Sequence, residues 1–224
     1  MGFDRDVQSI DRDAADYPRR VAGHLADDAP QALTLVGDRQ ILQGVQLALI
    51  CSVSCPGSVV IKTLDTIRKV RDAGLVVAGG FHSPMERECL HFLLRGCQPV
   101  VLCIACGMDS FELQLEERRA VDDGRLSVLS IFEERFTKAT PELASQRNDF
   151  VAALSGAIFV PHAVPGGKAE ATARRALARG QVVLTFDDAE NRHLIDQGAR
   201  DVPAGAIHEI CSVLTLVDQR IPHE

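Results

Sequence analysis

From Gln46 onward, short runs of β-branched and aliphatic residues alternate with stretches whose apolar positions recur at helical spacing. That alternation is the signature of βαβ units, whose parallel strands are buried on both faces and so read as continuous apolar runs. The pattern predicts strands at Leu47–Cys51, Leu75–Ala78, Val100–Ile104, Leu126–Leu129, Ala157–Val160 and Val182–Thr185. Helices are predicted to begin near Pro56, Pro84, Phe111, Pro141, Lys168 and Asp188. Several should stop at Gly74, Gly96, Gly124, Gly180 and Gly198, where a residue tolerant of positive φ can end the last turn. The expected fold class is α/β: an extended Rossmann-like, doubly wound, mostly parallel sheet with helices on both faces.

The first 44 residues depart from this pattern. Asp and Arg crowd the stretch up to Asp28, and one apolar segment, Ala32–Val36, follows. Residues 1–44 are expected to form a flexible start and a small docking element, and residues 45–224 a single Rossmann domain. Near the other end, Ala204–Val217 has helical spacing at Ile207, Ile210, Val213 and Leu214. This helix is expected to pack on the sheet or on a second subunit.

Composition changes the picture in three ways. No run reaches the roughly 20 apolar residues needed to cross a bilayer, and the acidic opening MGFDRDVQSIDRD lacks the pattern of a secretory leader. A cytosolic location without a membrane partner is expected. The 7 cysteines lack the spacing of a disulfide scaffold, and the Cys103/Cys106 CxxC has no second pair to complete a tetrahedral site. Reduced thiols, no metal and no cofactor are expected. The formal charge of −7 means that any DNA contact must come from a local patch of cations. Trp is absent and Tyr17 is the sole tyrosine, so base stacking would fall to Phe or His.

In open α/β sheets ligands bind beyond the carboxyl ends of the strands, where helix N-termini present unpaired N–H groups. Three turns there are rich in Gly, Ser and Pro. They offer Ser52, Ser54 and Gly57 after the first strand, Gly79, Gly80, His82 and Ser83 after the second, and Pro165, Gly166, Gly167 and Lys168 after the fifth. These residues are the candidate phosphate or nucleotide contacts. Ser83-Pro84-Met85-Glu86 also fits a capping box, in which Ser and Glu side chains satisfy main-chain donors reciprocally. If chemistry occurs, Glu86, Glu88, His82 and His162 are the candidate acid–base groups. Arg135, Lys138 and Arg147 are the cations least matched by neighbouring acids, and so the candidate DNA-backbone contacts.

Taken in order, these motifs resemble the DNA-processing protein A (DprA/Smf) family. The resemblance begins with Tyr17-Pro18, Leu25, Asp28-Ala29-Pro30, Leu33 and Gly37-Asp38. Cys51-Ser52-Val53 stands at the family's Gly-Ser-Arg turn, and Ala78–Met85 at its Ser-Gly-x-Ala-x-Gly-x-Asp turn. Gly107-Met108-Asp109, Arg147-Asn148, Leu154-Ser155, Pro165-Gly166-Gly167, Leu194-Ile195 and Gly198-Ala199 continue the match. The resemblance implies single-stranded DNA binding in recombination or uptake, a homodimer and a recombinase partner. Val53 and Asp149 replace two of the family's arginines, and the second turn lacks its Arg and Asp.

Pro165-Gly166-Gly167 is also similar to the first half of a turn in the cytokinin-activating phosphoribohydrolases. Thr172 and Ala173 stand where that turn would carry its catalytic Glu. The leading expectation is therefore a non-enzymatic DNA-binding protein. The alternatives are an N-glycosidase acting on a nucleotide or modified DNA, and a small-nucleotide sensor.

Overall fold

An apolar run flanked by other strands can bury side chains on both faces, and this drives the central runs into a sheet. The computed structural model describes residues 6–219. Its strands are β1 (Val7–Asp11), β2 (Ala32–Val36), β3 (Gln46–Leu49), β4 (Val76–Gly79), β5 (Val100–Cys103), β6 (Leu126–Ser130), β7 (Ala157–Phe159), β8 (Val182–Phe186) and β9 (Arg200–Val202). The helices are α1 (Arg19–Leu25), α2 (Gly57–Asp72), α3 (Pro84–Leu94), α4 (Leu115–Asp122), α5 (Pro141–Leu154), α6 (Lys168–Ala178), α7 (Arg192–Asp196) and α8 (Ile207–Asp218). Among the described residues, no helix is long and apolar enough to cross a membrane.

The strands form one nine-stranded sheet in the order β1-β2-β6-β5-β4-β3-β7-β8-β9. Every pairing from β6 through to β9 is parallel, as the sequence pattern predicts. From β3 the chain winds outward through β4, β5 and β6, then returns to β7 on the other side of β3. The β3/β7 junction is therefore the topological switch point, where such sheets open a crevice at their carboxyl ends.

Strand alternation sends Leu47 and Leu49 into one apolar layer and Ala48 and Ile50 into the other. Helices α2, α3, α4 and α8 supply side chains to the first layer, and α1, α5, α6 and α7 to the second. At the centre of the first layer, the Phe159 and Phe186 rings meet edge to face at 5.2 Å.

The structure corrects several expectations. The flexible start is not observed over residues 7–11, which form edge strand β1 antiparallel to β2, with Ile10 buried. Residues 1–5 lie outside the described part. Ala32–Val36 is not a docking element on the sheet but a strand within it, paired with β6 as well as β1. Short polar strands at a sheet edge need little apolar surface, so β1 leaves only a weak periodic signal. The helix expected near Phe111 starts at Leu115, where Gln114 and Glu117 form a capping box. The segment after Asp188 is a single 3-10 turn followed by the short α7.

Leu35 is fully buried on β2. Leu35→Ala should lower the unfolding free energy by about 2–5 kcal/mol, within a single cooperative transition. A separate low-stability transition in urea, leaving the parallel sheet intact, would contradict the placement of β2 inside the sheet.

Candidate nucleic-acid interface

The switch-point crevice is closed by main-chain bonds. Beyond the strands proper, Ile50 N–H donates to Phe159 O at 3.1 Å and Ser52 N–H to His162 O at 3.1 Å. Val164 N–H then donates to Ser52 Oγ at 2.9 Å. Ser52 is thus a tie between the first and fifth turns. Ser54 and Gly57 are exposed beside it, and a Cβ on Gly57 would meet nothing within 4 Å, so that glycine is not demanded by packing. His162 is buried, and its Nδ1 has no hydrogen-bond partner.

The second turn is organised by a carboxylate and a guanidinium. Ser83 and Glu86 form the expected capping box at the start of α3. The Glu86 carboxylate goes further: Oε1 accepts from Cys51 N–H at 2.9 Å, and Oε2 accepts from the N–H groups of His82 at 3.0 Å and Ser83 at 3.1 Å. Both oxygens are spent on the main chain, which leaves Glu86 poorly placed for acid–base work. Glu88 is exposed elsewhere on α3. The structure does not assemble a carboxylate pair.

Arg147 enters from α5 and is only 5% exposed. Its Nη1 donates to Cys103 O at 2.9 Å and its Nε to Asn148 Oδ1 at 2.8 Å. Burial lowers its pKa from the ordinary arginine value, opposed by the nearby Glu86 carboxylate. The guanidinium stands against Gly80, where a Cβ would overlap it. The expectation that Arg147 touches DNA from the surface therefore does not fit its position. Its ordered place is inside, because burying the charge is tolerable only with such partners. Gly79 has a related reason to be glycine: a Cβ there would stand 3.0 Å from the Phe81 ring, which turns back over it from a residue at φ 44°.

In the fifth turn Gly166 adopts φ 73°, and Gly167 caps α6, where an added Cβ would stand 2.8 Å from Val164 O. Pro165, Gly166 and Lys168 are exposed. Glu170, one turn into α6, accepts from Gly166 N–H and from Gln197 Nε2, so a carboxylate of the chain already occupies this helix start. A third glutamate does the same between the loops after β5 and β6. Glu134 accepts from Met108 N–H at 3.0 Å and Asp109 N–H at 2.8 Å.

The loop after β6 carries the rim's exposed cation and aromatic groups. Gly107 N–H holds it through Phe136 O at 2.8 Å. Arg135 Cζ stands 4.9 Å from the centre of the half-exposed Phe136 ring, and Arg135 pairs with Glu133 at 3.0 Å. Lys138 is exposed and makes no ion pair among the described residues. Phe136 was not singled out from the sequence, although an aromatic flanked by Arg135 and Lys138 in a loop is the available signal. His82, Arg135, Lys138 and Lys168 are exposed along the carboxyl rim, and the structure gathers them there without Arg147. Cys103 and Cys106 are buried thiols with pKa values raised by desolvation, that of Cys103 to about 12. Among the described residues no group of three or more His, Cys, Asp or Glu is arranged to hold a metal ion.

The sheet order and the switch-point rim define a Rossmann-like α/β protein whose candidate ligand surface is its carboxyl edge. The chain matches the DNA recombination-mediator protein A family over residues 8–214 and belongs to that family. No curated protein matches the sequence. Among solved structures, the fold is similar to DNA processing protein A from Streptococcus pneumoniae, at 20% identity and TM-score 0.78, covering 92% of this chain and 74% of that one. It is also similar to the single-stranded-DNA-binding DNA processing protein A from Helicobacter pylori, at 18% identity and TM-score 0.75, covering 98% and 99% of the two chains. A molybdenum cofactor binding protein from Rippkaea orientalis shares the fold at 11% identity and TM-score 0.57, covering 76% and 98%.

Glu86→Gln replaces one acceptor oxygen by an NH2 group that must face main-chain donors. The variant should lose about 1–3 kcal/mol of stability in chemical denaturation. Wild-type stability would show that the three amides find other partners at no cost.

Proposed function

We propose that this chain binds single-stranded DNA across its carboxyl rim and acts without chemistry of its own. The observation that carries the reading is the exposed Arg135–Phe136–Lys138 loop, near the start of α5 and on the same rim as Lys168. Cations there neutralise phosphates, and the Phe136 ring offers a face on which a base stacks. Ser54, Gly57, His82, Pro165 and Gly166 are exposed along the same rim and would line the strand's path. Ser52, Gly79, Gly80, Ser83 and Gly167 shape the turns, and His162 supports them from within.

The N–H groups of Cys51, His82, Ser83 and Gly166 are held by glutamates, which counts against a cradle for the phosphate of a small nucleotide. The same bonds count against an N-glycosidase that relies on Glu86. Family membership favours a homodimer, a recombinase partner and a cytosolic site of action.

The test is a fluorescence titration of a labelled oligothymidine at several salt concentrations. Each phosphate neutralised contributes about −0.7 to the slope of log K against log salt. Lys138→Ala and Lys168→Ala should each weaken binding and flatten that slope by about 0.7. Phe136→Ala should weaken binding by about 1–3 kcal/mol while leaving the slope alone. Affinity at low salt no better than that of an unrelated acidic protein would end the proposal.

A further inference from the structure

Apolar side chains scattered singly over a surface are ordinary, whereas neighbouring ones mark a contact. Among the described residues six large apolar side chains are exposed, and four of them, Val7, Ile61, Leu115 and Leu216, are spread one each over β1, α2, α4 and α8. The other two stand together at the switch point. Val53, on the first turn, is 70% exposed, the most of the six, and Val164, on the fifth turn, is 40% exposed. The register of β3 on β7 sets them side by side. Leu49 pairs with Phe159, and three residues further on Ser52 N–H still donates to His162 O at 3.1 Å, so Val53 follows alongside Ala163 and Val164. The bond from Val164 N–H to Ser52 Oγ at 2.9 Å then ties the two turns directly before Val53.

The main-chain donors around this pair are spent. Cys51 N–H goes to Glu86 Oε1, Ser52 N–H to His162 O, Val164 N–H to Ser52 Oγ, Gly166 N–H to Glu170 Oε2 and Gly167 N–H to Val164 O. A phosphate laid over the valines would give up water and gain no donor from these five amides, which is unfavourable. An apolar group laid there gains burial and gives up nothing. The cations stand to the side. Lys168 is exposed at the start of α6, four residues past Val164, and Arg135 and Lys138 are exposed after β6, three strands away from β3 along the same edge.

We propose that Val53 and Val164 form an apolar step that receives one nucleobase of the bound strand and selects thymine through its C5-methyl group. That methyl is what thymine has and uracil lacks, and contact with an apolar side chain is how it is read. The phosphates flanking this base pass to the rim cations, Lys168 being the nearest in sequence to the step. The step rests on the single-stranded-DNA reading of the rim and adds a base preference to it: the cations set the affinity and its salt dependence, and the two valines set which base is favoured.

The test uses the full chain and two labelled oligomers of equal length, oligothymidine and oligodeoxyuridine, which differ only in the methyl group. Fluorescence titrations are run at two salt concentrations. The wild-type chain should favour oligothymidine by about four-fold, the equivalent of burying one methyl group, and by the same ratio at both salt concentrations, because an apolar contact is not screened. The double variant Val53→Ala, Val164→Ala alters only exposed side chains, and it should bring the ratio close to one while the slope of log K against log salt stays as in the wild type. Lys168→Ala should do the reverse, weakening both oligomers alike and keeping the ratio. Equal wild-type binding of the two oligomers, a ratio that survives in the double variant, or a ratio lost in Phe136→Ala instead would overturn the step while leaving the rim as the DNA surface. Failure of both oligomers to bind would overturn the step together with the reading it rests on.

Discussion

The carboxyl edge of the sheet depends on the Glu86 carboxylate. It reaches from the first turn of α3 to hold the end of β3 through Cys51 and the turn after β4 through His82 and Ser83. Arg147 adds the counter-charge from α5 and fastens itself to β5 through Cys103 O. One carboxylate and one guanidinium thus fix three adjacent strand ends and two helices from opposite faces of the sheet. Burying such charges is unfavourable unless their hydrogen-bonding capacity is filled, and here the main chain fills much of it. Gly80 follows as a consequence, since only a residue without Cβ leaves room for the guanidinium.

This constraint decides what kind of ligand the rim suits. In many α/β proteins the N–H groups at these turns receive a phosphate. Here Glu86, Glu134 and Glu170 already fill that role at three places along the edge. The rim therefore meets an anion with side chains rather than with main-chain donors. Side-chain cations spread over a distance suit a polymer with repeated phosphates, and a neighbouring aromatic ring suits an unstacked base. With a formal charge of −7, such attraction stays local and will be sensitive to salt.

Much of the fold was legible because parallel strands announce themselves as apolar runs, and Gly and Pro mark the turns between them. The capping box at Ser83 and Glu86 was legible for the same reason: its partners are three residues apart. What escaped detection depends on contacts distant in sequence. Arg147 reads as a surface cation on a helix, since its partners at Gly80 and Cys103 lie far upstream. The strand Val7–Asp11 is short, polar and at an edge, and its pairing with β2 cannot be read from its own residues. Cys103 and Cys106 drew attention through their spacing, and the structure buries both thiols.

The central claim is that nucleic acid meets the side chains of the rim while the Glu86-held amides stay occupied. Amide chemical-shift mapping during titration with an oligothymidine tests it directly. The account predicts that the largest changes fall on residues 134–140 and 165–169, with the Cys51, His82 and Ser83 amides nearly unmoved. Large, saturating changes at those three amides, with little at residues 134–140, would contradict it.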